Sequence, residues 1–129
     1  MFKDSEAFSS FSTDDIEAAK EFYGGTLGLD TKIGEMGVLR ISVPGGGTVM
    51  IYPKEDHKAA TFTVLNFGVN DIDAAVDALK EKGIELERYD MGEFKADEKG
   101  IYRGKEQKMG PDIAWFTDPA GNILSVIAN

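Results

Sequence analysis

Asp14-Asp15-Ile16-Glu17-Ala18-Ala19 and Asn70-Asp71-Ile72-Asp73-Ala74-Ala75 are the stretches whose reading decides the architecture. They lie 56 residues apart, and the same offset places Phe11 over Phe67. Both copies follow a short apolar strand pattern and open an amphipathic helix, so the match marks a repeated unit. In the second copy Ile72, Ala75, Val76 and Leu79 fall at i, i+3, i+4 and i+7, which is one face of a helix. Asn70 or Asp71 can accept hydrogen bonds from the free N–H groups of its first turn, and Gly83 can end it. In the first copy Ile16, Ala19, Phe22, Tyr23 and Leu27 form the face, with Gly28 as the stop. Asp14, Asp15 and Asp71 therefore read as caps before they read as catalytic acids.

Working outward, three strands are predicted after each helix. In the first half they are Leu29–Glu35, Val38–Val43 and Thr48–Tyr52, the last two joined by a turn at Gly45-Gly46-Gly47. No Lys-Ser/Thr follows those glycines, so they are not a phosphate loop. In the second half the strands are Ile84–Tyr89, Ile113–Thr117 and Ile123–Ala128, and Asp118-Pro119-Ala120-Gly121 suits a type I turn. The order is βαβββ, twice. Between Asp90 and Asp112 lies an insertion rich in Lys, Glu and Gly, read as a surface loop. Its Met91, Phe94, Ile101, Tyr102 and Met109 would also let it act as a lid over a ligand.

Composition narrows the function classes. The 129 residues suit one domain, module one over about 5–54 and module two over about 61–129. Twenty-three acids against 14 Lys and Arg give a net charge of −9. Such a surface repels phosphate backbones and anionic lipid, which argues against nucleic-acid or membrane partners. With no cysteine there is no disulfide, thiolate nucleophile or Fe–S cluster. No run reads as a signal peptide or membrane span, and the expected location is the cytoplasm.

The chain resembles the glyoxalase/bleomycin-resistance/extradiol dioxygenase (vicinal oxygen chelate) superfamily. The residues that carry the resemblance are Asp14-Asp15-Ile16-Glu17 followed by Phe22-Tyr23 and Leu27-Gly28, then Asn70-Asp71-Ile72-Asp73-Ala74-Ala75, and finally Phe116-Thr117-Asp118-Pro119-Ala120-Gly121-Asn122. The last motif is the most specific. The resemblance implies an α+β fold of two βαβββ modules, a mixed sheet curled around a cavity and completed in a homodimer. It also implies that metal-using members carry a His on the first strand and a carboxylate on the last strand of each module. Those positions fall here on Phe8, Val64, Met50 and Ser125. None offers the imidazole or carboxylate that a divalent ion needs. The one histidine, His57, lies in Lys54-Glu55-Asp56-His57-Lys58, which reads as an exposed loop. No metal or cofactor is expected.

Alternation then sorts the strand residues. Leu65, Phe67 and Val69 face the helix, leaving Val64 and Asn66 on the other side. The repeat transfers this to Phe8, Ser10 and Ser12, alternation adds Arg40 and Ser42, and the resemblance implies that Met50, with Tyr52 beyond it, and Ser125 face the same cavity. The candidate ligand-binding set is Phe8, Ser10, Arg40, Met50, Tyr52, Val64, Asn66, Trp115 and Ser125, with the face of Trp115 left open. A mainly apolar, aromatic concavity with a few polar groups is the usual make-up of an organic ligand site. The same side chains would equally serve as interior filling or a dimer contact, and Arg40 as half of a salt bridge.

Three functions follow. The leading one is a non-catalytic protein that sequesters a planar aromatic ligand, as the resemblance to the metal-free, drug-binding branch implies. The second is an enzyme of the family working without metal, a lyase or isomerase. Tyr52 would be its acid or base, with Glu93, Asp97 or Glu98 available if the 90–112 segment closes. The third is a metalloenzyme, such as a dioxygenase, with relocated ligands.

Overall fold

A computed structural model describes residues 1–129, in two compact units, Met1–Ala59 and Ala60–Asn129. Each unit carries one helix and one four-stranded mixed sheet, so the expected α+β class and both repeats are present. The sheets are open, with free edges rather than a closed barrel.

In the first unit the elements are β1 (Ser9–Thr13), α1 (Ile16–Lys20), β2 (Asp30–Ile33), β3 (Leu39–Val43) and β4 (Gly47–Pro53), in sheet order β1-β4-β3-β2. β1 runs parallel to β4, and the other pairs are antiparallel. Asp15 caps α1 by accepting from the Ala18 N–H at 3.1 Å. The predicted helix does not continue as a regular α-helix to Leu27. From Glu21–Thr26 it widens into a π-helical turn, in which the Leu27 N–H reaches back five residues to the Phe22 carbonyl. Gly24 in that turn packs against β2 so closely that a Cβ there would lie 2.8 Å from Thr31 Oγ1. The core is Ala19, Phe22 and Tyr23 packed on Leu39, Ile41, Val49 and Ile51. At the β3–β4 turn Gly45 and Gly46 both have φ near +90°, a conformation that glycine adopts without strain.

In the second unit the order is β5 (Thr63–Gly68), α2 (Ile72–Glu81), β6 (Tyr102–Arg103), β7 (Asp112–Thr117) and β8 (Ile123–Ala128), paired β5-β8-β7-β6. Asp71, rather than Asn70, caps α2, accepting from the Ala74 N–H. Ile72, Val76 and Leu79 are buried, as the helical spacing predicts. The turn at Asp118 closes as expected. The Gly121 N–H bonds to the Asp118 carbonyl, and the Asp118 side chain accepts from the N–H groups of Ala120 and Asn122.

One predicted strand is absent. Ile84–Tyr89 contributes only an isolated bridge, Glu87 to Trp115, while the paired strand beyond β7 is Tyr102–Arg103 inside the insertion. Two chain segments thus share the edge of β7. Apolar content alone could not show which of them would reach it.

Candidate functional site

The open face of module one is built by strict alternation. Leu39, Ile41, Val49 and Ile51 turn towards α1, so Arg40, Ser42, Met50 and Tyr52 turn the other way. The register sets a row across the sheet. Ser10 pairs with Met50, Met50 with Arg40, and Arg40 with Lys32. Phe8, just before β1, is 63% exposed. Beside this row is a recess of about 540 Å³ lined by Phe8, Met50, Arg40 and Thr48, with Glu6 and Gly46 at its walls. That volume suits a small organic molecule. The lining is more polar than the mainly apolar surface expected from sequence, because Glu6 and Arg40 both reach it.

At the other end of the row Ser12 pairs with Tyr52. Here the structure corrects the reading of His57 as a loop residue without site context. The chain turns back after β4, with the Lys54 N–H bonded to the Thr13 carbonyl. This brings His57 Nδ1 to 2.6 Å from Ser12 Oγ. A hydroxyl, an imidazole and the Tyr52 phenol therefore border one end of the open face.

In module two the equivalent row is Asn66, Ser125 and Trp115, followed by Glu87 at the bridge. Trp115 stands directly opposite Ser125, and its neighbours Ala114 and Phe116 are the buried, helix-side residues, which settles its face. Ser125 is fully buried and its hydroxyl donates to Asn66 Oδ1. A bulge interrupts β5 between Thr63 and Leu65. Thr63 takes the place opposite Ile123, and Val64 sits in the bulge with no partner on β8. Trp115 Nε1 donates to Thr63 Oγ1 at 2.9 Å.

The Trp115 end of this second face is covered by the chain's own insertion, while Asn66 is exposed. Tyr102 is 1% exposed, with its ring 5.1 Å from that of Trp115 and 5.6 Å from that of Phe94. Its hydroxyl accepts from the Tyr89 N–H and donates to the Tyr89 carbonyl. Tyr89 stacks edge-on against Trp115, and burial followed by the nearby Glu87 pushes its phenol pKa up. Ile101 is fully buried, while Met91 and Met109 remain exposed. The 90–112 segment is thus part core and part surface.

Ion pairs fasten it. Arg103 reaches Asp73 on α2 through two nitrogens and Asp97 through Nε, and Lys99 pairs with Asp73 and Asp77. Hydrogen bonds from Arg103 and then Lys99 hold the Asp73 carboxyl far below the usual carboxylate range. Burial works to raise the pKa of Asp97, but the Ile101 N–H, Arg103 and the Lys99 N–H outweigh it, and its net shift is downward. Asp97 is therefore a structural anion, poorly placed to give up a proton as a general acid. Glu93 and Glu98 are exposed.

The four positions where metal-using members would carry ligands hold a phenyl ring at Phe8, a thioether at Met50, an isopropyl group at Val64 and a buried hydroxyl at Ser125. These groups do not fit a hard or borderline divalent ion. No group of three or more His, Asp or Glu side chains gathers elsewhere. Sequence reasoning missed Lys32, which counting the β2–β3 register back from its turn would have found. It also missed Thr63, for which no sequence signal exists because the bulge is a tertiary feature.

Comparison with known proteins bears on fold and family. The family model described as the Glyoxalase/Bleomycin resistance protein/Dioxygenase superfamily matches residues 10–126. No curated protein matches the chain. Among solved structures, TnmS3, an antibiotic binding protein from Streptomyces sp. CB03234, is 22% identical with a TM-score of 0.69, covering 99% of this chain and 98% of that one. An integron cassette protein from the mobile metagenome of the Halifax Harbour sewage outfall is 19% identical with a TM-score of 0.70, covering 97% and 99%. Lactoylglutathione lyase from Agrobacterium tumefaciens is 19% identical with a TM-score of 0.65, covering 98% and 96%. At these identities the likeness is one of fold. No helix is long and apolar enough to cross a membrane.

Proposed function

The chain belongs to the Glyoxalase/Bleomycin resistance protein/Dioxygenase superfamily, and on that premise we propose that it is a non-catalytic binding protein that sequesters a planar aromatic natural product. The observation that carries this reading is the recess of about 540 Å³ on module one, where an exposed Phe8 stands beside Met50 and Arg40. A concavity that joins an aromatic ring and an apolar side chain to a few polar groups has the make-up of an organic ligand site. Sequestration requires affinity and no reacting group. Phe8 supplies a stacking face, Met50 an adaptable apolar floor, and Arg40 planar donors. Ser10 and Tyr52 border the ligand in this reading. The module-two candidates Asn66, Val64, Trp115 and Ser125 are not needed for this reading, since Ser125 is fully buried and Trp115 is packed against Tyr89 and Tyr102; a cytoplasmic homodimer would complete the groove. The fold it shares with TnmS3, an antibiotic binding protein, is in keeping with this role.

The test is titration with a panel of planar aromatic antibiotics, followed by calorimetry with and without chelator, and recovery of each compound for mass spectrometry. Saturable binding that survives chelator and returns the compound intact is the expected result. A panel without binding overturns the reading.

One observation favours a second reading, a metal-free lyase or isomerase. The hydrogen bond between Ser12 and His57 lies beside Tyr52, giving a base and a phenol on one face. A chemically altered product in the same experiment, lost in His57→Ala, would establish it.

A further inference from the structure

The open row of module one ends in two cations. Arg40 and Lys32 are direct partners across β2 and β3, so their side chains leave the sheet on the same face, about 5 Å apart at Cβ. Both are exposed. Neither side chain forms an ion pair or hydrogen bond. Elsewhere Lys54, Lys99 and Arg103 all pair with carboxylates, and Arg88 donates to two backbone carbonyls. Like charges placed directly opposite in an antiparallel pair cost stability. An anion seated between them removes that repulsion.

We infer that Arg40, which lines the recess of module one, with its cross-strand partner Lys32 just outside it, makes that recess selective for planar aromatic ligands that carry an anionic group, a carboxylate above all. The inference deepens the proposed sequestering role and rests on it. Arg40 presents a fork of N–H donors that matches a carboxylate in two parallel hydrogen bonds, and Lys32 adds a second point charge. Met50, the partner of Arg40 on the opposite side from Lys32, and Phe8 then meet the flat ring. Two acids belong to the same surroundings, Glu6 on the recess wall and Asp30, two residues from Lys32 on the same face of β2. Neither forms an ion pair with the two cations, and each weakens the field an anion would feel.

The probes are 9-anthracenecarboxylate and its uncharged methyl ester, followed by ligand fluorescence anisotropy on the whole protein. The acid is expected to bind at least about 10-fold more tightly than the ester, the scale of a charge-assisted hydrogen bond. Added salt should weaken the acid and leave the ester unchanged. Arg40→Ala should remove the acid's advantage, Lys32→Ala should reduce it by a few-fold, and Glu6→Gln should increase it. Circular dichroism checks folding. Equal binding of acid and ester overturns the anionic selectivity while leaving aromatic binding intact. A preference for the acid that persists in both Arg40→Ala and Lys32→Ala also overturns it, since the charge would then be met elsewhere. Binding of neither probe overturns it together with the aromatic reading beneath it.

Discussion

The two modules share a helix cap, a strand order and a cross-sheet row, yet they treat that row in opposite ways. In module one it reads Ser10, Met50, Arg40, Lys32 and stands open beside a recess. In module two it reads Asn66, Ser125, Trp115, Glu87, and the insertion lays Tyr102, Phe94 and Tyr89 over the tryptophan. Arg40 and Trp115 therefore occupy the same place in the repeat. The insertion, absent from module one, covers the Trp115 end of the second face, while Asn66 at the other end stays exposed. The other copy kept its exposed aromatic and its unpaired cations.

The sharpest way to break this contrast is to truncate one aromatic on each face. Tyr102→Ala should cost about 3–5 kcal/mol in urea denaturation, because a buried ring and its cavity are lost together. It should also shift Trp115 emission to the red as water reaches the indole. Phe8→Ala, the counterpart on the open face, should change stability by less than about 0.5 kcal/mol while weakening aromatic ligands. A large stability loss at Phe8 would mean that the open face is core too.

Arg103→Ala tests whether the ion pairs fasten the cover. Asp73 and Asp97 have lowered pKa values in the folded protein, so they contribute stability above the ordinary carboxylate pKa of about 4 and lose it as pH falls below. The variant should melt several degrees below the parent at pH 7. That gap should narrow as pH drops from 4 towards 2, because the carboxylates of the unfolded chain protonate there while Arg103 still holds Asp73 ionised in the folded parent. A gap independent of pH would assign the effect of Arg103 to packing.

Smaller effects are expected where the modules are alike. Asp15→Ala and Asp71→Ala remove equivalent caps, and each should cost about 1 kcal/mol in chemical denaturation. Ser12→Ala should cost about 1 kcal/mol or less by removing the hydrogen bond to His57. Its effect on ligand affinity would show whether that end of the face takes part in binding.

The amino-acid order alone determined the repeat, both helix starts, the turn at Asp118-Pro119-Ala120-Gly121 and the faces of β3 and β4. Those features depend on residues within a few positions of one another, where helical spacing, strand alternation and capping chemistry act directly. It also determined the residue types at Phe8, Met50, Val64 and Ser125, and with them the poor fit to a metal. Tertiary structure decided what depends on distant partners. The bulge that gives Thr63 to Trp115, the return of His57 to Ser12, and the competition between Glu87 and Tyr102 for the edge of β7 are settled by pairing across 52, 45, and 28 or 11 residues respectively. Local pattern carries no record of such contacts. Whether an apolar segment becomes strand, cover or loop depends on which vacant edge or aromatic face it meets once the sheet has formed.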